Sequence, residues 1–202
     1  MRYFLRSLQW LPLLLCLFAF PNTAHAHSPI KGLGDFYSGL FHPLTSPAHV
    51  LLIVALGLLA GRRRPFQLKA PMAVFIALSG TALFVATTCG IKAVHPALTI
   101  GVALCAGILL ALDKNLATLP VCVLFAVAAI AMGLDSAVEA SSRTSMAKTL
   151  LGNWISLVVL VCDVAIYVSL GGEAKWLKIA LRIAGSWIIA ISLLVLALSF
   201  RK

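Results

Sequence analysis

Charged residues are scarce in this 202-residue chain: they make up 11% of it, and only 6 residues are Asp or Glu. Soluble proteins carry about 25% charged residues, so this chain has too few to cover a surface that faces water. Hydrophobic residues make up 61% of the chain, and its mean hydropathy is +1.04. The composition excludes a soluble domain and indicates an integral membrane protein whose surface contacts membrane lipid.

The chain also lacks the cysteine patterns of a disulfide framework or of a CxxC site. Its five cysteines are widely spaced: Cys16, Cys89, Cys105, Cys122 and Cys162. Within apolar runs a thiol packs as a small hydrophobic group. We therefore expect these cysteines to be buried packing residues rather than metal ligands.

Basic residues outnumber acidic ones and give the chain a net charge of +10. In a soluble protein this excess would suggest a nucleic-acid partner, but here the basic residues cluster at the ends of apolar runs. There they act as topology signals and contact phospholipid headgroups. The chain contains no motif typical of RNA or DNA binding, so we expect no nucleic-acid partner.

Residues 1–26 have the features of a cleavable secretory signal peptide, namely a basic start, an apolar run that is short for a membrane span, and a small-residue cleavage site. These features are Arg2 and Arg6, the run 10–20, and Ala24-His25-Ala26. Cleavage after Ala26 would leave a single domain, 27–202, that begins at His27. The amine and imidazole of His27 suit a divalent transition metal, or this histidine is only a remnant of the cleavage site. Residues 28–40 are expected to form a short external lead-in.

Six apolar runs follow, and each is close to the roughly 20 residues that a helix needs to cross a bilayer. They cover residues 44–61, 70–91, 93–112, 115–134, 149–172 and 179–200. The sequence thus predicts an all-α integral membrane protein with six transmembrane helices. Arg62, Arg63, Arg64 and Lys69 follow the first run, which places that connection in the cytoplasm. We expect a multi-pass protein of the cell inner (plasma) membrane, with its mature amino terminus on the outer, periplasmic side.

The stretch 41–61 joins two histidines and two prolines to the first apolar run. On one straight helix, His42 and His49 would lie roughly 10 Å apart at about 1.5 Å per residue. Because Pro43 and Pro47 fit only a helix's first turn or the approach to it, we predict that His42 lies in a non-helical approach and that His49 lies in the first turn. An alternative is that both are interfacial histidines hydrogen-bonded to water and carbonyls, since polar groups cost little at the membrane rim.

This topology places five potential ligands of a divalent cation on the outer side: His42, His49, His95, Asp135 and Glu139. Asp135 and Glu139 are four residues apart and would share one helix face. Together with imidazoles they would bind a divalent cation through mixed oxygen and nitrogen ligands. In the alternative interpretation, residues 135–148 are a solvated connection in which Asp135 caps a turn and Glu139 pairs with Arg143.

The sequence also contains a short repeat, in which His42-Pro43-Leu44-Thr45 is echoed by His95-Pro96-Ala97-Leu98-Thr99 before the third run. Both copies would begin on the outer side of the membrane. Parallel repeats are common in transporters, where binding sites lie between them. In a chain this rich in Ala and Leu, the same echo also arises by chance.

Asp163 lies near the middle of the fifth run, where a carboxylate is costly unless it is protonated, paired or in a polar cavity. This position favours a role in a cation or proton path, with Asn153 and Ser156 extending a polar stripe on the same helix. The alternative is a structural ion pair with Arg182 of the last helix.

The signal peptide with its histidine-containing end, the block H-P-L-x-x-x-x-H from His42 to His49, and the six short helices resemble the HupE/UreJ family of small membrane proteins. The resemblance implies nickel, and in some members cobalt, permease or accessory activity that supplies enzymes such as hydrogenase and urease. The usual block of that family is H-P-x-x-G-x-D-H. His42, Pro43 and His49 match it, whereas Ser46 and Ala48 stand for its glycine and aspartate.

A second motif of the family, H-G-x-x-H-G-x-E, aligns with residues 132–139. Gly133 and Glu139 match, whereas Met132 and Ser136 replace both histidines. The chain is therefore similar to the family as a divergent branch.

Two functional hypotheses follow. In the first, the protein transports nickel or cobalt, which His42, His49, His95 and Glu139 collect and which Asp163 passes inward. In the second, it is a non-transporting accessory protein that binds a partner or helps to assemble a metalloenzyme. The lost family ligands favour the second, as does the lack of a nucleotide-binding loop to drive transport.

Hydrolase activity is disfavoured, because Ser136 beside Asp135 has no nearby histidine or glycine elbow to activate it. We expect no enzymatic activity and no resident cofactor; nickel or cobalt would be cargo.

Overall fold

A computed structural model describes residues 34–62, 65–91, 95–114, 116–138, 142–172 and 174–199. The predicted signal peptide, His27 and Glu139 lie outside these residues. Within them the chain forms α-helices and no strand, which confirms the expected all-helical class. The helices are α1 Gly34–Thr45, α2 Pro47–Gly61, α3 Pro65–Thr88, α4 Pro96–Ala111, α5 Thr118–Asp135, α6 Arg143–Ser169 and α7 Lys175–Ser199.

Four of these helices are long and apolar enough to cross a membrane: α3, α5, α6 and α7. The pair α1 and α2 meets the same criterion jointly but is bent by 77° between the two helices. The remaining helix, α4, is apolar but has only 16 residues. The described residues thus contain four candidate membrane spans, or five when the bent pair is counted as one, which indicates a multi-pass membrane protein.

Helix α2 is the centre of the bundle. It packs most extensively against α6 and α4, and it also contacts α1, α5 and α7. Its buried residues occur on all sides and include Leu52, Leu56 and Ala60, each fully inaccessible to solvent. A helix that is apolar all round is stable only in such an enclosed position. The predicted first apolar run therefore forms the core helix of the molecule.

Glycines bring the helices close together, as expected from the small residues in the sequence. Gly57 and Gly61 of α2 leave room for Val164 and Ala165 of α6, where an added Cβ would clash. At the contact between α4 and α7, a Cβ on Gly185 would lie 2.8 Å from the carbonyl oxygen of Gly107. In lipid, where apolar side chains gain little by meeting one another, such close contacts drive helix association.

Within the predicted lead-in 28–40, the described residues 34–40 are helical and belong to α1. Helix α1 lies against α6, where Gly39 contacts the backbone of Thr149 and Gly152 contacts the backbone of Phe36. The two glycines permit this backbone contact, which a sequence pattern along α1 alone does not reveal. His42 consequently lies in the last turn of α1 and not in a non-helical approach.

The break between α1 and α2 occurs at Ser46, which has the extended dihedrals φ −99° and ψ 113°. The cause is Pro47, since the residue before a proline is sterically driven out of the α region. Pro43, by contrast, lies inside α1. The predicted position of His49 in the first turn of the following helix is confirmed.

The cysteines do not match the prediction of burial. In the described part of the chain they are free thiols: Cys89 and Cys105 are exposed, and Cys122 and Cys162 are half-buried. In a membrane bundle a small apolar thiol is as compatible with lipid as with the interior, so the apolar context does not imply burial.

Candidate functional site

The bend between α1 and α2 brings two predicted ligands together. The ring centroids of His42 and His49 lie 6.1 Å apart, with the ring planes at 64°. On a straight helix the two residues would be separated by roughly 10 Å along the axis. The break at Ser46 thus brings the two imidazoles closer together than a single straight helix would, so that a shared site becomes geometrically feasible.

His49 also meets a carboxylate from a different helix. Its Nε2 lies 3.0 Å from Oδ2 of Asp135, because the first turn of α2 contacts the last turn of α5. The histidine side chain is 1% exposed and that of Asp135 is 13% exposed. The sequence placed both residues on one side of the membrane, but only the packing of α2 against α5 brings them into contact.

The two nitrogens of His49 are unusual for a buried imidazole. The contact with Asp135 is short but not aligned as a hydrogen bond, and Nδ1 and Nε2 both lack a hydrogen-bond partner among the described residues. Buried polar side-chain atoms are paired in the large majority of cases, so exceptions mark functional positions. Both nitrogens of His49 are therefore candidate ligand atoms.

A second pair of buried polar residues follows directly. Ser136 and Asn153 are fully buried, and the side-chain amide of Asn153 donates to the carbonyl oxygen of Ser136 at 3.5 Å. In the described structure the hydroxyl of Ser136 and the amide oxygen of Asn153 have no hydrogen-bond partner. Ser136 directly follows Asp135 in the chain, and neither Ser136 nor Asn153 was predicted as a metal ligand.

Glu139 lies outside the described residues, but the structure describes the chain immediately before it. Val138, immediately before it, donates its backbone N–H to the hydroxyl of Thr87 at the end of α3, at 3.2 Å. This bond ties the chain after α5 to the neighbouring helix.

His95 lies apart from this cluster at the N-cap of α4, where it is exposed. Its Nδ1 accepts a hydrogen bond from the backbone N–H of Ala97 at 3.2 Å. The structural counterpart of His95-Pro96 at the start of α2 is Ser46-Pro47 rather than His42-Pro43, since each pair consists of an N-cap followed by a proline in the first turn. The predicted His-Pro echo therefore does not mark equivalent positions.

Asp163 also lies apart from the cluster. It is exposed on α6, whereas Asn153 and Ser156 of the same helix are buried against the bundle. The expected polar stripe through all three residues is therefore not formed. The alternative, an ion pair between Asp163 and Arg182, is not formed within the chain either; the Arg182 Nε donates to the carbonyl oxygen of Ala111 on α4 at 3.2 Å.

His42, His49 and Asp135 thus gather at one end of the bundle, which we call the histidine end. They are connected pairwise: the described residues contain no group of three or more His, Cys, Asp or Glu side chains close enough to hold one metal ion.

The opposite end, which we call the arginine end, carries Arg62, Asp113 and Lys114. Arg62 forms an ion pair with Asp113 at 3.1 Å and donates to the carbonyl oxygen of Lys114 at 3.1 Å. These contacts tie the end of α2 to the connection that follows α4. A cation at this position also interacts favourably with the C-terminal end of α4.

The described residues thus have the features of a multi-pass helical membrane protein. At one end of its apolar bundle, a buried imidazole lies beside a carboxylate. The family model described as HupE / UreJ protein matches residues 14–195, nearly the whole chain. The chain therefore belongs to the HupE/UreJ family, as the sequence resemblance indicated. No curated protein and no solved structure matches it.

Proposed function

We propose that this protein is a membrane transporter for a divalent transition-metal cation of the nickel and cobalt class. Membership of the HupE/UreJ family supports a nickel- or cobalt-related membrane role. The observation that carries the proposal is the state of His49, which is buried, lies 3.0 Å from Asp135 and keeps both ring nitrogens without a hydrogen bond. Neutral imidazole nitrogens suit these metals, and a nearby carboxylate supplies the negative charge.

The contact with Asp135 also offers an explanation for a missing family residue. In the family block an aspartate directly precedes the second histidine, whereas this chain has Ala48 before His49. Asp135 brings a carboxylate to the same imidazole from α5. We propose that this carboxylate replaces the one lost at Ala48, and that His42 and Glu139 provide further ligands.

The proposed entrance consists of His42, His49, Asp135 and Glu139. His95 and Asp163 are not included, because the side chain of His95 caps α4 and Asp163 is exposed on α6. Cations would enter at the histidine end and leave at the arginine end.

The topology proposed for this transport is six spans after a cleaved signal peptide, in the inner membrane. The bent pair α1 and α2 would form the first span, and the 16-residue α4 would form the third. The basic arginine end supports a cytoplasmic location of that end, because Lys and Arg accumulate in cytoplasmic connections. The histidine end would then face the periplasm, where the cation is collected.

Uptake of radiolabelled nickel and cobalt into cells that express the protein tests this proposal. We expect expression to raise accumulation, and His49→Ala and His42→Ala to abolish the increase while the proteins still insert in the membrane. His95→Ala is the matched control and should retain uptake, since His95 lies apart from the cluster. Equal accumulation in wild type and both variants would refute transport through this site.

A non-transporting accessory role in metalloenzyme assembly is the second candidate. It is favoured by Met132 and Ser136, which are fully buried at the positions of the two histidines in the second family motif. Stable co-purification of a partner protein, together with unchanged metal accumulation, would support this role over transport.

A further inference from the structure

Asp163 and Arg182 are the only two charged residues inside the six apolar runs. They have opposite charges, and both are exposed on the surface of the bundle. A charged side chain that faces lipid is costly, so such residues normally pair or face a polar environment. Both side chains lie outside the interior of the bundle, and Arg182 contacts α4 through its hydrogen bond to the carbonyl oxygen of Ala111.

The two charges also lie at the same depth. At about 1.5 Å per residue, Asp163 is roughly 9 Å from Ser169 at the end of α6, and Arg182 is roughly 10 Å from Lys175 at the start of α7. These two helix ends are joined by the short connection 170–174 and meet where Gly171 packs against Leu177. Both charges therefore lie at matching distances from the arginine end, on two helices that are consecutive in the chain.

Pairing within one chain is not formed, because Arg182 turns its Nε towards Ala111 of α4. Arginine can extend its long side chain towards the membrane surface, but the short side chain of Asp163 cannot. Asp163, when ionised, therefore has no cation partner on α7 of its own chain. A second copy of the same chain, in the same orientation, provides Arg182 at the required depth.

We propose that the exposed residues around Asp163 on α6 and around Arg182 on α7 form a dimer interface between two copies of the chain, in which Asp163 pairs with Arg182 of the partner subunit. A two-fold axis along the membrane normal makes such a contact self-complementary, so that the ion pair forms twice. In each of the two ion pairs, the opposite charges neutralise one another instead of facing lipid separately.

The surroundings of the two residues fit a helix contact. On α6 the neighbouring exposed residues are apolar and include Val159 and Ile166. On α7 the small residues Ser186 and Ala190 are exposed one and two turns after Arg182, which permits close approach of another helix. Only 22% of the apolar window of α7 is buried within the chain, so this helix retains most of its surface for a partner.

Charge exchange tests the interface in the full chain, reconstituted in lipid nanodiscs and examined by native mass spectrometry. We expect the wild type to be a dimer. Asp163→Arg and Arg182→Asp each place like charges opposite one another and should weaken dimerisation by more than about tenfold, since close like charges repel strongly in lipid. The double exchange D163R/R182D should restore the dimer. Val123→Arg, which adds an arginine on the exposed face of α5, is the matched control and should remain dimeric.

Cross-linking provides a second measurement that keeps both charges in place. Val159 and Ser186 lie one turn beyond Asp163 and Arg182, in the direction of the histidine end. With the native cysteines replaced by serine, separately tagged Val159→Cys and Ser186→Cys copies should be joined by a short thiol cross-linker, whereas Val123→Cys and Ser186→Cys copies should not. A monomeric wild type, a double exchange as dissociated as the single variants, or the absence of the Val159–Ser186 cross-link would overturn the proposal.

Discussion

His49 lies in an energetically unfavourable environment, because its polar ring is buried in the apolar bundle. A buried polar atom without a hydrogen bond costs about 1–3 kcal/mol, and both ring nitrogens of His49 are in this state among the described residues. The neighbouring Asp135 reduces the cost only through charge, since the 3.0 Å contact is not aligned as a hydrogen bond. A bound cation would engage one ring nitrogen of His49 together with the carboxylate of Asp135, which is why we propose the metal site here.

At this scale we predict that Asp135→Asn lowers nickel affinity by about 10- to 100-fold, the usual effect of losing a carboxylate that supports a metal-binding histidine. The substitution preserves side-chain shape and removes the negative charge next to His49. Isothermal titration calorimetry on the purified protein measures the change.

The control for this prediction is Asp113→Asn, which removes an aspartate that is also ion-paired, but with Arg62 at the arginine end. We expect nickel affinity to be unchanged in that variant. Wild-type affinity in Asp135→Asn would show that the contact with His49 is structural only.

At the scale of elements, the site depends on how α1 is held. The bend at Ser46 points α1 away from the axis of α2, and the glycine contacts with α6 hold it there. Because His42 is on α1 and His49 is on α2, any shift of α1 changes the distance between the two imidazoles. The packing of α1 on α6 therefore connects the stability of a helix pair with the geometry of the candidate site.

We predict that Gly39→Ala destabilises the protein by about 1–3 kcal/mol, the usual cost of adding a methyl group to a filled contact. The new Cβ would overlap the carbonyl of Thr149 and lie 3.0 Å from the backbone nitrogen of Asn153. Thermal unfolding of the purified protein in one detergent measures the effect, and nickel affinity should fall in parallel.

Gly101→Ala is the matched substitution on α4, where nothing lies within 4 Å of an added Cβ. Here we expect equal or higher stability, by up to about 1 kcal/mol, because alanine favours the helix more than glycine does. Equal effects of the two substitutions would mean that α1 does not pack on α6 as described.

At the scale of the whole molecule, the two ends of the bundle differ in chemistry. Imidazoles and Asp135 gather at the histidine end, whereas Arg62 at the arginine end contacts the connection after α4, which contains Lys114. This separation gives the bundle a direction, which agrees with the proposed passage of a cation from the periplasm to the cytoplasm.

The orientation leads to a labelling prediction for the full chain without native cysteines. A cysteine at Ser142, which is exposed next to α6, should react in intact cells with a maleimide that cannot cross the membrane. A cysteine at the exposed position Lys114 should react only after the membrane is permeabilised. The reverse pattern would place the arginine end outside and contradict the proposed direction of entry.

Much of the architecture was predictable because the free energy of transferring a segment into lipid depends mainly on the residues of that segment. Every predicted apolar run overlaps one of the helices α2 to α7, and the family resemblance carried by His42, Pro43 and His49 is confirmed. The helical state of residues 34–42 was not predicted, since it rests on the contact of Gly39 with Thr149, a residue more than a hundred positions away.

The sequence by itself determined that the chain is an apolar helical bundle, where the helices α2 to α7 run and which polar residues are available, because hydropathy and proline geometry act locally. Only the tertiary structure decided that Asp135 meets His49 and that Asp163 lies on the surface of the bundle. These outcomes depend on which face each helix turns towards its neighbours, and that choice is made by glycine contacts between distant segments rather than by the polarity of any one of them.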